Sequence, residues 1–296
     1  MTVVRTGAVT TGDGAVLRWR AEGEGPSAPL LCSNGIGVAT FFWRHLQDHF
    51  AKSRAVITWD YRGHGSSPVP PNPRATTVGL CASDLWRVAD AAGVQQAVLV
   101  GHSMGCQVLL ESYRQAPGRA LALVPMLGAA GGLMKSFLGI GDKIMPLLRG
   151  WLAVGASQPR LAETILRTTL RLPGVFAATK ALGVVHPDLC PKEEFEPYFA
   201  HLRQLDLRVY FALAQDLLTH DASDLLPSIR LPTLVVAGER DLFTPLSRSQ
   251  ELASAIAGAE LLVLRGGSHA ALVEQPDLIN LTLEKFLRVH GLAKDA

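Results

Sequence analysis

The pentapeptide GHSMG at 101–105 constrains the fold of this chain more than any other segment. It follows the apolar run 97–100 and precedes a helix-like segment at 104–116, so it predicts a strand, a sharp turn and a helix. Glycines two residues to either side of a serine suit such a turn, because a β-carbon there would clash with neighbouring backbone. The pattern is typical of a nucleophile elbow, and Ser103 is the predicted nucleophile.

A serine hydroxyl is a weak nucleophile unless a base takes its proton and a carboxylate orients that base. The short β-branched run 232–238, bounded by proline and glycine, predicts a buried parallel strand, and an acidic loop follows it at once. Glu239 and Asp241 both lie in that loop. Asp241 is favoured as the acid because it comes directly before a segment in which a new helix can start.

The predicted base, His269, follows a second such strand at 260–264. Two glycines before it permit backbone angles that can aim an imidazole over the sheet, and a pKa near neutrality suits proton transfer in both directions. The other eight histidines lack this setting, and His102 is expected to pack beside the elbow. The chain order Ser103, Asp241, His269 is the order found in α/β-hydrolases.

Strands and helices alternate along the chain, which predicts an α/β fold with a mostly parallel central sheet and flanking helices. A hairpin is expected at 3–10 and 15–21, followed by strands at 29–33, 54–59, 97–101, 120–127, 233–238 and 260–264. Helices are expected at 75–92, 104–116, 246–256 and 277–289. In the last helix, the predicted apolar face consists of Leu278, Leu281, Leu283 and Phe286.

The alternation stops between residues 128 and 229, where helical periodicity predicts an inserted cap. The core domain is therefore expected at 1–127 and 230–296. Three apolar stripes carry the prediction: Ile144, Met145, Leu147, Leu148, Trp151 and Leu152; Leu161, Ile165, Leu166 and Leu170; and Phe195, Tyr198, Phe199 and Leu202. Such a cap would cover Ser103 and form the substrate pocket. Its basic stretch at 135–180 is interpreted as a solvated face rather than a lipid-binding or polymer-binding surface.

Together these segments resemble the α/β-hydrolase superfamily over nearly the whole chain outside the predicted cap. The turn 60–67 is similar to the family's D-x-R-G-x-G-x-S turn after the fourth strand. The loop 34–37 stands where many members carry His-Gly-x-Gly, with Asn34 in place of the histidine, as in enol-lactonase-like and polyhydroxyalkanoate-depolymerase-like members. The resemblance implies an oxyanion hole made by the backbone N–H groups of Ile36 and Met104.

The resemblance and the triad predict a serine hydrolase that cleaves a carboxylic ester or a lactone through an acyl-enzyme, with no metal or organic cofactor. The expected partner is a small-molecule substrate with an apolar acyl part. Polyester or polyhydroxyalkanoate depolymerase, carbon–carbon bond hydrolase and perhydrolase activities use the same triad and stay open, as does a ligand receptor with a slow triad. A serine at 103 argues against dehalogenase and epoxide hydrolase relatives, which use an aspartate.

Composition agrees with an enzyme of this kind. The net charge of +2 gives no reason to expect nucleic-acid binding, and 48% hydrophobic residues supply a large core. The four cysteines lie at 32, 81, 106 and 190 without metal-ligand spacing and are expected to be reduced thiols. No apolar stretch suggests a signal peptide or a membrane span, so a cytoplasmic protein without stable membrane insertion is expected.

Overall fold

An eight-stranded mixed sheet forms the centre of the protein. The computed structural model describes residues 2–131, 150, 155 and 157–294. The strands are β1 Val4–Thr10, β2 Val16–Glu22, β3 Leu30–Ser33, β4 Val56–Trp59, β5 Ala97–His102, β6 Ala120–Met126, β7 Leu234–Gly238 and β8 Glu260–Leu264. All eight predicted strands are confirmed, each to within two residues at either end.

The strand order across the sheet is β1-β2-β4-β3-β5-β6-β7-β8. The first hairpin pairs antiparallel, β2 also pairs antiparallel with β4, and every other neighbouring pair is parallel. Strands β3 to β7 are buried almost throughout because helices cover both faces of the sheet, which explains their continuous apolar sequences. The parallel strands bring their carboxyl ends to one edge, where β5, β7 and β8 each lead into a loop.

Ten α-helices accompany the sheet within the described residues. They are α1 Arg44–Phe50, α2 Val78–Ala91, α3 Met104–Gln115, α4 Pro159–Thr169, α5 Val175–Ala181, α6 Lys192–Leu202, α7 Leu207–Thr219, α8 Leu246–Ala255, α9 Ala271–Glu274 and α10 Pro276–Val289. The four helices predicted outside the cap correspond to α2, α3, α8 and α10. No helix formed by residues 2–131 or 157–294 is both long and apolar enough to cross a bilayer.

The predicted apolar face of α10 is wrong at two positions. Leu278 is 45% and Leu281 59% exposed, whereas Leu283 and Phe286 are buried as expected. The buried stripe runs through Ile279, Leu283, Phe286 and Leu287, which is the i, i+4, i+7, i+8 spacing of one helix face. Leu278 stands one residue before Ile279, and Leu281 stands two residues before Leu283. The helical rotation of about 100° per residue therefore turns both leucines towards solvent.

Helices α4 to α7 lie in the predicted cap. The first predicted stripe, at 144–152, falls outside the described residues apart from Gly150. The second stripe is wrong in part, because Leu161 and Ile165 are exposed. Its other two members fit the prediction: Leu166 packs with α7 beside buried Ala162, and Leu170 is buried. In the third stripe, Phe195 and Phe199 are buried.

The chain leaves and re-enters the sheet domain at adjacent points. An isolated antiparallel bridge joins Gly131 to Asp221, and the Ala222 N–H donates to the Ala130 carbonyl. Helix α7, which ends just before Asp221, packs directly against the sheet domain. Its buried Val209, Leu213 and Leu217 lie in the same apolar cluster as residues of α2 and α3. This helix therefore connects the inserted segment to the core.

Candidate active site

Ser103 occupies a strained turn between β5 and α3. Its backbone angles, φ 56° and ψ −119°, lie outside the regions that residues with a side chain normally adopt. A β-carbon on Gly101 would stand 2.3 Å from the Gly105 carbonyl oxygen, and one on Gly105 would stand 2.2 Å from the Ser33 carbonyl oxygen. Both distances are far below van der Waals contact, so the turn requires glycine at both positions.

The structure brings Ser103, His269 and Asp241 together at the carboxyl edge of the sheet. The Ser103 Oγ lies 2.9 Å from His269 Nε2, and His269 Nδ1 lies 2.8 Å from Asp241 Oδ2. These distances suit a serine hydroxyl that donates to Nε2 and a ring Nδ1–H that donates to the carboxylate. Glu239 lies elsewhere and accepts the Gly266 N–H, so geometry selects Asp241 between the two acids.

The Asp241 carboxylate is held by four donors. Its Oδ1 accepts the backbone N–H groups of Phe243 and Thr244, while Oδ2 accepts the Thr244 hydroxyl and faces His269. Burial by itself would raise the pKa of Asp241, but the interaction with His269 and these hydrogen bonds hold it below its usual range. The group therefore stays ionised and fixed in orientation at neutral pH.

The His269 loop is held from two sides. His102 Nε2 lies 3.1 Å from the His269 carbonyl oxygen and donates to it. On the other side, the buried Glu274 carboxylate accepts the Ser268 N–H and hydroxyl, and it also accepts the backbone N–H of His186 from the inserted segment. Glu274 thus ties the loop that carries the imidazole to the segment above it.

The backbone N–H groups of Ile36 and Met104 have no hydrogen-bond partner within the described residues. Met104 opens α3, so its N–H belongs to the uncapped first turn, where the helix dipole favours negative charge. Ile36 lies in the loop after β3 and lines the same cavity as Ser103. Both groups are thus free to donate to an anion beside the serine.

Asn34 is buried and braces the Ile36 loop. Its side-chain N–H donates to the Trp59 carbonyl, its side-chain oxygen accepts the Trp43 indole N–H, and its backbone carbonyl accepts the Tyr61 hydroxyl. The asparagine side chain therefore pairs one buried acceptor and one buried donor of the fold, the Trp59 carbonyl and the Trp43 indole N–H.

His64, in the turn after β4, accepts a hydrogen bond from the same loop. Its Nδ1 lies 3.1 Å from the Arg62 carbonyl oxygen and its Nε2 lies 3.3 Å from the Gly37 nitrogen. The ring therefore donates from Nδ1 and accepts at Nε2, which requires the neutral form. Burial lowers the pKa of His64 to about 4, although the hydrogen bond to Arg62 acts in the opposite direction.

This buried histidine predicts a loss of stability in acid. The unfolded chain binds a proton at His64 near pH 6.5, whereas the folded chain does so only near pH 4. The stabilisation is complete above pH 6.5 and is lost as the pH falls towards 4, at about 1.4 kcal/mol per pH unit. We expect urea unfolding at pH 7, 6 and 5 to show that the free energy of unfolding falls less steeply with falling pH in His64→Gln than in the wild type; this pH dependence is the slope compared here. His290→Gln, at an exposed site, should keep the wild-type slope, and equal slopes in all three proteins would contradict the prediction.

A cavity of about 200 Å³ opens at Ser103. Its walls are mostly aliphatic and aromatic: Ile36, Val38 and Phe42 from the sheet domain, Val184, Phe195 and Tyr198 from the inserted segment, and Tyr210, Ala214, Leu217 and Leu218 from α7. Ser103 and His269 lie on the same surface. The site can therefore enclose an apolar group next to the serine hydroxyl.

Several residues of the site were not identified from the sequence. They are Thr244, Glu274, Tyr198 and Tyr210. Glu274, Tyr198 and Tyr210 make their contacts with distant elements, and no local pattern marks them. Thr244 had the clearest available signal, because it stands three residues after the predicted acid in the same loop.

The family model described as "Alpha/beta hydrolase family" matches residues 30–280. The chain belongs to the α/β-hydrolase family. A protein of Azorhizobium caulinodans named as a carbamate hydrolase, RutD, is 30% identical over 274 residues, which cover 90% of this chain and 93% of that protein. The match spans both the sheet domain and the inserted segment.

Two solved structures show the same α/β-hydrolase architecture. A hydrolase from Pseudomonas aeruginosa has a TM-score of 0.72 and 27% identity, covering 96% of this chain and 98% of that one. Est816, described as an N-acyl homoserine lactone degrading enzyme, has a TM-score of 0.74 and 25% identity, covering 94% and 99%. These relatives support hydrolase activity for this α/β-hydrolase.

Proposed function

We propose that this protein is a serine hydrolase that cleaves carboxylic esters, including lactones, through Ser103, His269 and Asp241. The observation that carries the proposal is the unbroken hydrogen-bonded series from the Ser103 hydroxyl through both ring nitrogens of His269 to the Asp241 carboxylate. The strained elbow and the two free N–H groups beside it support the same chemistry.

The reaction would proceed in two acyl transfers. Ser103 Oγ attacks the ester carbonyl carbon as His269 Nε2 takes its proton, and the N–H groups of Ile36 and Met104 stabilise the oxyanion. The intermediate then breaks its bond to the alcohol oxygen, which receives the proton from His269. Water, deprotonated by His269, attacks the acyl-enzyme, and Ser103 leaves with the proton restored, so ester and water give acid and alcohol.

The lining of the cavity favours an apolar group on the substrate. A cavity of about 150 Å³ with an apolar lining holds benzene, so about 200 Å³ suits a ring or a medium-length chain. We further propose that residues 128–229 act as a cap that supplies seven of the seventeen described lining residues, and that the remainder, 1–127 and 230–296, supplies the triad. A cap of this kind would keep water away from the acyl-enzyme.

The RutD relative favours a second candidate, carbamate cleavage, by the same steps on a carbamoyl carbon. A small carbamate would leave most of the apolar wall uncovered, so the ester is the preferred substrate class here. Lactones are included because Est816 is described as acting on one. The substrate panel of the test therefore contains esters, lactones and a carbamate.

The test combines a fluorophosphonate probe with a substrate panel of p-nitrophenyl esters of increasing acyl length, lactones and an aryl carbamate. We expect stoichiometric labelling, located on the peptide that carries Ser103 by mass spectrometry, and turnover that rises with acyl length before falling. Turnover of the carbamate alone would favour the second candidate. Tight binding of an ester without labelling and without turnover would indicate a ligand receptor instead of an enzyme.

A further inference from the structure

Two tyrosines line the cavity, Tyr198 on α6 and Tyr210 on α7. Neither hydroxyl makes a hydrogen bond within the described part of the chain, although a tyrosine hydroxyl in the interior normally finds a partner. Both tyrosines are half-buried. Their hydroxyls therefore keep accessible surface on an otherwise mostly apolar wall.

The rings are held in place. Tyr198 packs on Phe195 with ring centroids 5.1 Å apart, and Tyr210 packs on Phe211 at 5.7 Å. The edge of the Tyr210 ring lies against the Ile36 loop, since a β-carbon on Gly37 would stand 3.2 Å from Tyr210 Cε2. The two rings are therefore fixed by packing, and the Tyr210 ring lies beside the loop that carries Ile36.

Both tyrosines remain donors at neutral pH. Burial raises the pKa of Tyr198, and the neighbouring Tyr210 raises it further; burial also raises the pKa of Tyr210. Each hydroxyl therefore keeps its proton and offers one O–H in a setting where a hydrogen bond competes little with water.

The other polar side chains of the cavity wall are already committed. Thr244 donates to Asp241, Ser103 donates to His269, and His102 donates to the His269 carbonyl while its second ring nitrogen is fully enclosed. Among the described wall residues, Tyr198 and Tyr210 are thus the side-chain donors without a partner. A mostly apolar cavity with two unpaired hydroxyl donors suits a ligand that is apolar except for a hydrogen-bond acceptor.

We propose that Tyr198 and Tyr210 form a donor subsite for an oxygen acceptor that the substrate carries in addition to its ester group, such as a ketone or an ether. This rests on the proposed esterase function and narrows its substrate class to medium-length esters with a second oxygen. The cavity volume of about 200 Å³ limits the chain that bears this oxygen to roughly the size of a substituted ring.

The test uses two matched ester series. In one, ethyl heptanoate is compared with ethyl esters of heptanoic acids that bear a ketone at successive carbons; in the other, heptyl acetate is compared with its ketone-bearing analogues. We expect at least one ketone ester to have a kcat/KM about threefold to tenfold above its parent, the range of one neutral hydrogen bond. Tyr198→Phe and Tyr210→Phe should remove this preference, so that the ketone ester and its parent have the same kcat/KM within each variant.

Tyr113→Phe is the matched control, because Tyr113 lies on α3 outside the cavity wall and should keep the preference. The subsite is overturned if no ketone ester exceeds its parent, or if the cavity variants lower both esters of a pair by the same factor. Dissociation constants of the same pairs on Ser103→Ala give a readout without turnover. If the wild type hydrolyses nothing, the esterase proposal fails, while the binding preference on this variant still decides for or against the subsite.

Discussion

Ser103→Ala is expected to lower kcat for a p-nitrophenyl ester by roughly 10⁴-fold to 10⁶-fold. The substitution removes the only atom that can form the acyl-enzyme, so the remaining rate comes from the oxyanion donors and from binding. The affinity for the ester should change little, because within the described residues the hydroxyl makes no hydrogen bond other than the one to His269. The measurement is the initial rate at saturating substrate, together with the loss of fluorophosphonate labelling.

Two controls make this result specific. Ser254→Ala on α8 removes an exposed hydroxyl far from the cavity and should leave kcat within about twofold of wild type. Urea unfolding of Ser103→Ala should show a protein at least as stable as wild type, since the elbow backbone is unchanged. Residual activity above a tenth of wild type in a folded variant would contradict the assignment of Ser103 as nucleophile.

Asp241→Asn is expected to lower kcat by roughly 10⁴-fold, a size known for this change in triads of this type. The structure gives the reason. Because Oδ1 accepts two backbone N–H groups, the amide oxygen of asparagine will occupy that position and its NH₂ will face His269 Nδ1. The imidazole must then accept at Nδ1 and carry its proton on Nε2, so it can no longer take the proton of Ser103.

Glu239→Gln is the matched control for Asp241→Asn. It makes the same chemical change in the same loop, but its side chain accepts only the Gly266 N–H, which a glutamine oxygen can still do. We expect its kcat to stay within about twofold of wild type. A large loss in Glu239→Gln combined with normal activity in Asp241→Asn would reverse the assignment of the acid.

The sheet and the proximity of Ser103, Asp241 and His269 could be predicted because both depend on local patterns. Each strand is a short apolar run with clear ends, and Asp241 and His269 stand directly after two of them. Parallel strands bring their carboxyl ends to the same edge, so residues far apart in sequence meet there. Gly101 excludes a β-carbon because of Gly105 in the same turn, whereas Gly105 excludes one because of the Ser33 carbonyl at the end of β3.

The rest could not be predicted because it depends on which elements touch. Leu278 and Leu281 fit a helical stripe as well as their neighbours do, and only the angle at which α10 packs decides which residues are buried. Glu274 gains its role from a loop of the inserted segment, 88 residues away at His186. Tyr198 and Tyr210 read as ordinary aromatic residues of two helices until the cavity between them is known.

Gly131 and Asp221 lie side by side, so the segment between them could be exchanged for another while the sheet is kept. A foreign segment spliced between these two points would close a loop whose ends already meet, at little cost in chain entropy to the sheet. It would have to retain a helix with apolar side chains equivalent to Val209, Leu213 and Leu217, because these belong to the same buried cluster as residues of α2 and α3. If residues 128–229 form the proposed cap, substrate choice could then be transplanted while Ser103, Asp241 and His269 stayed where they are.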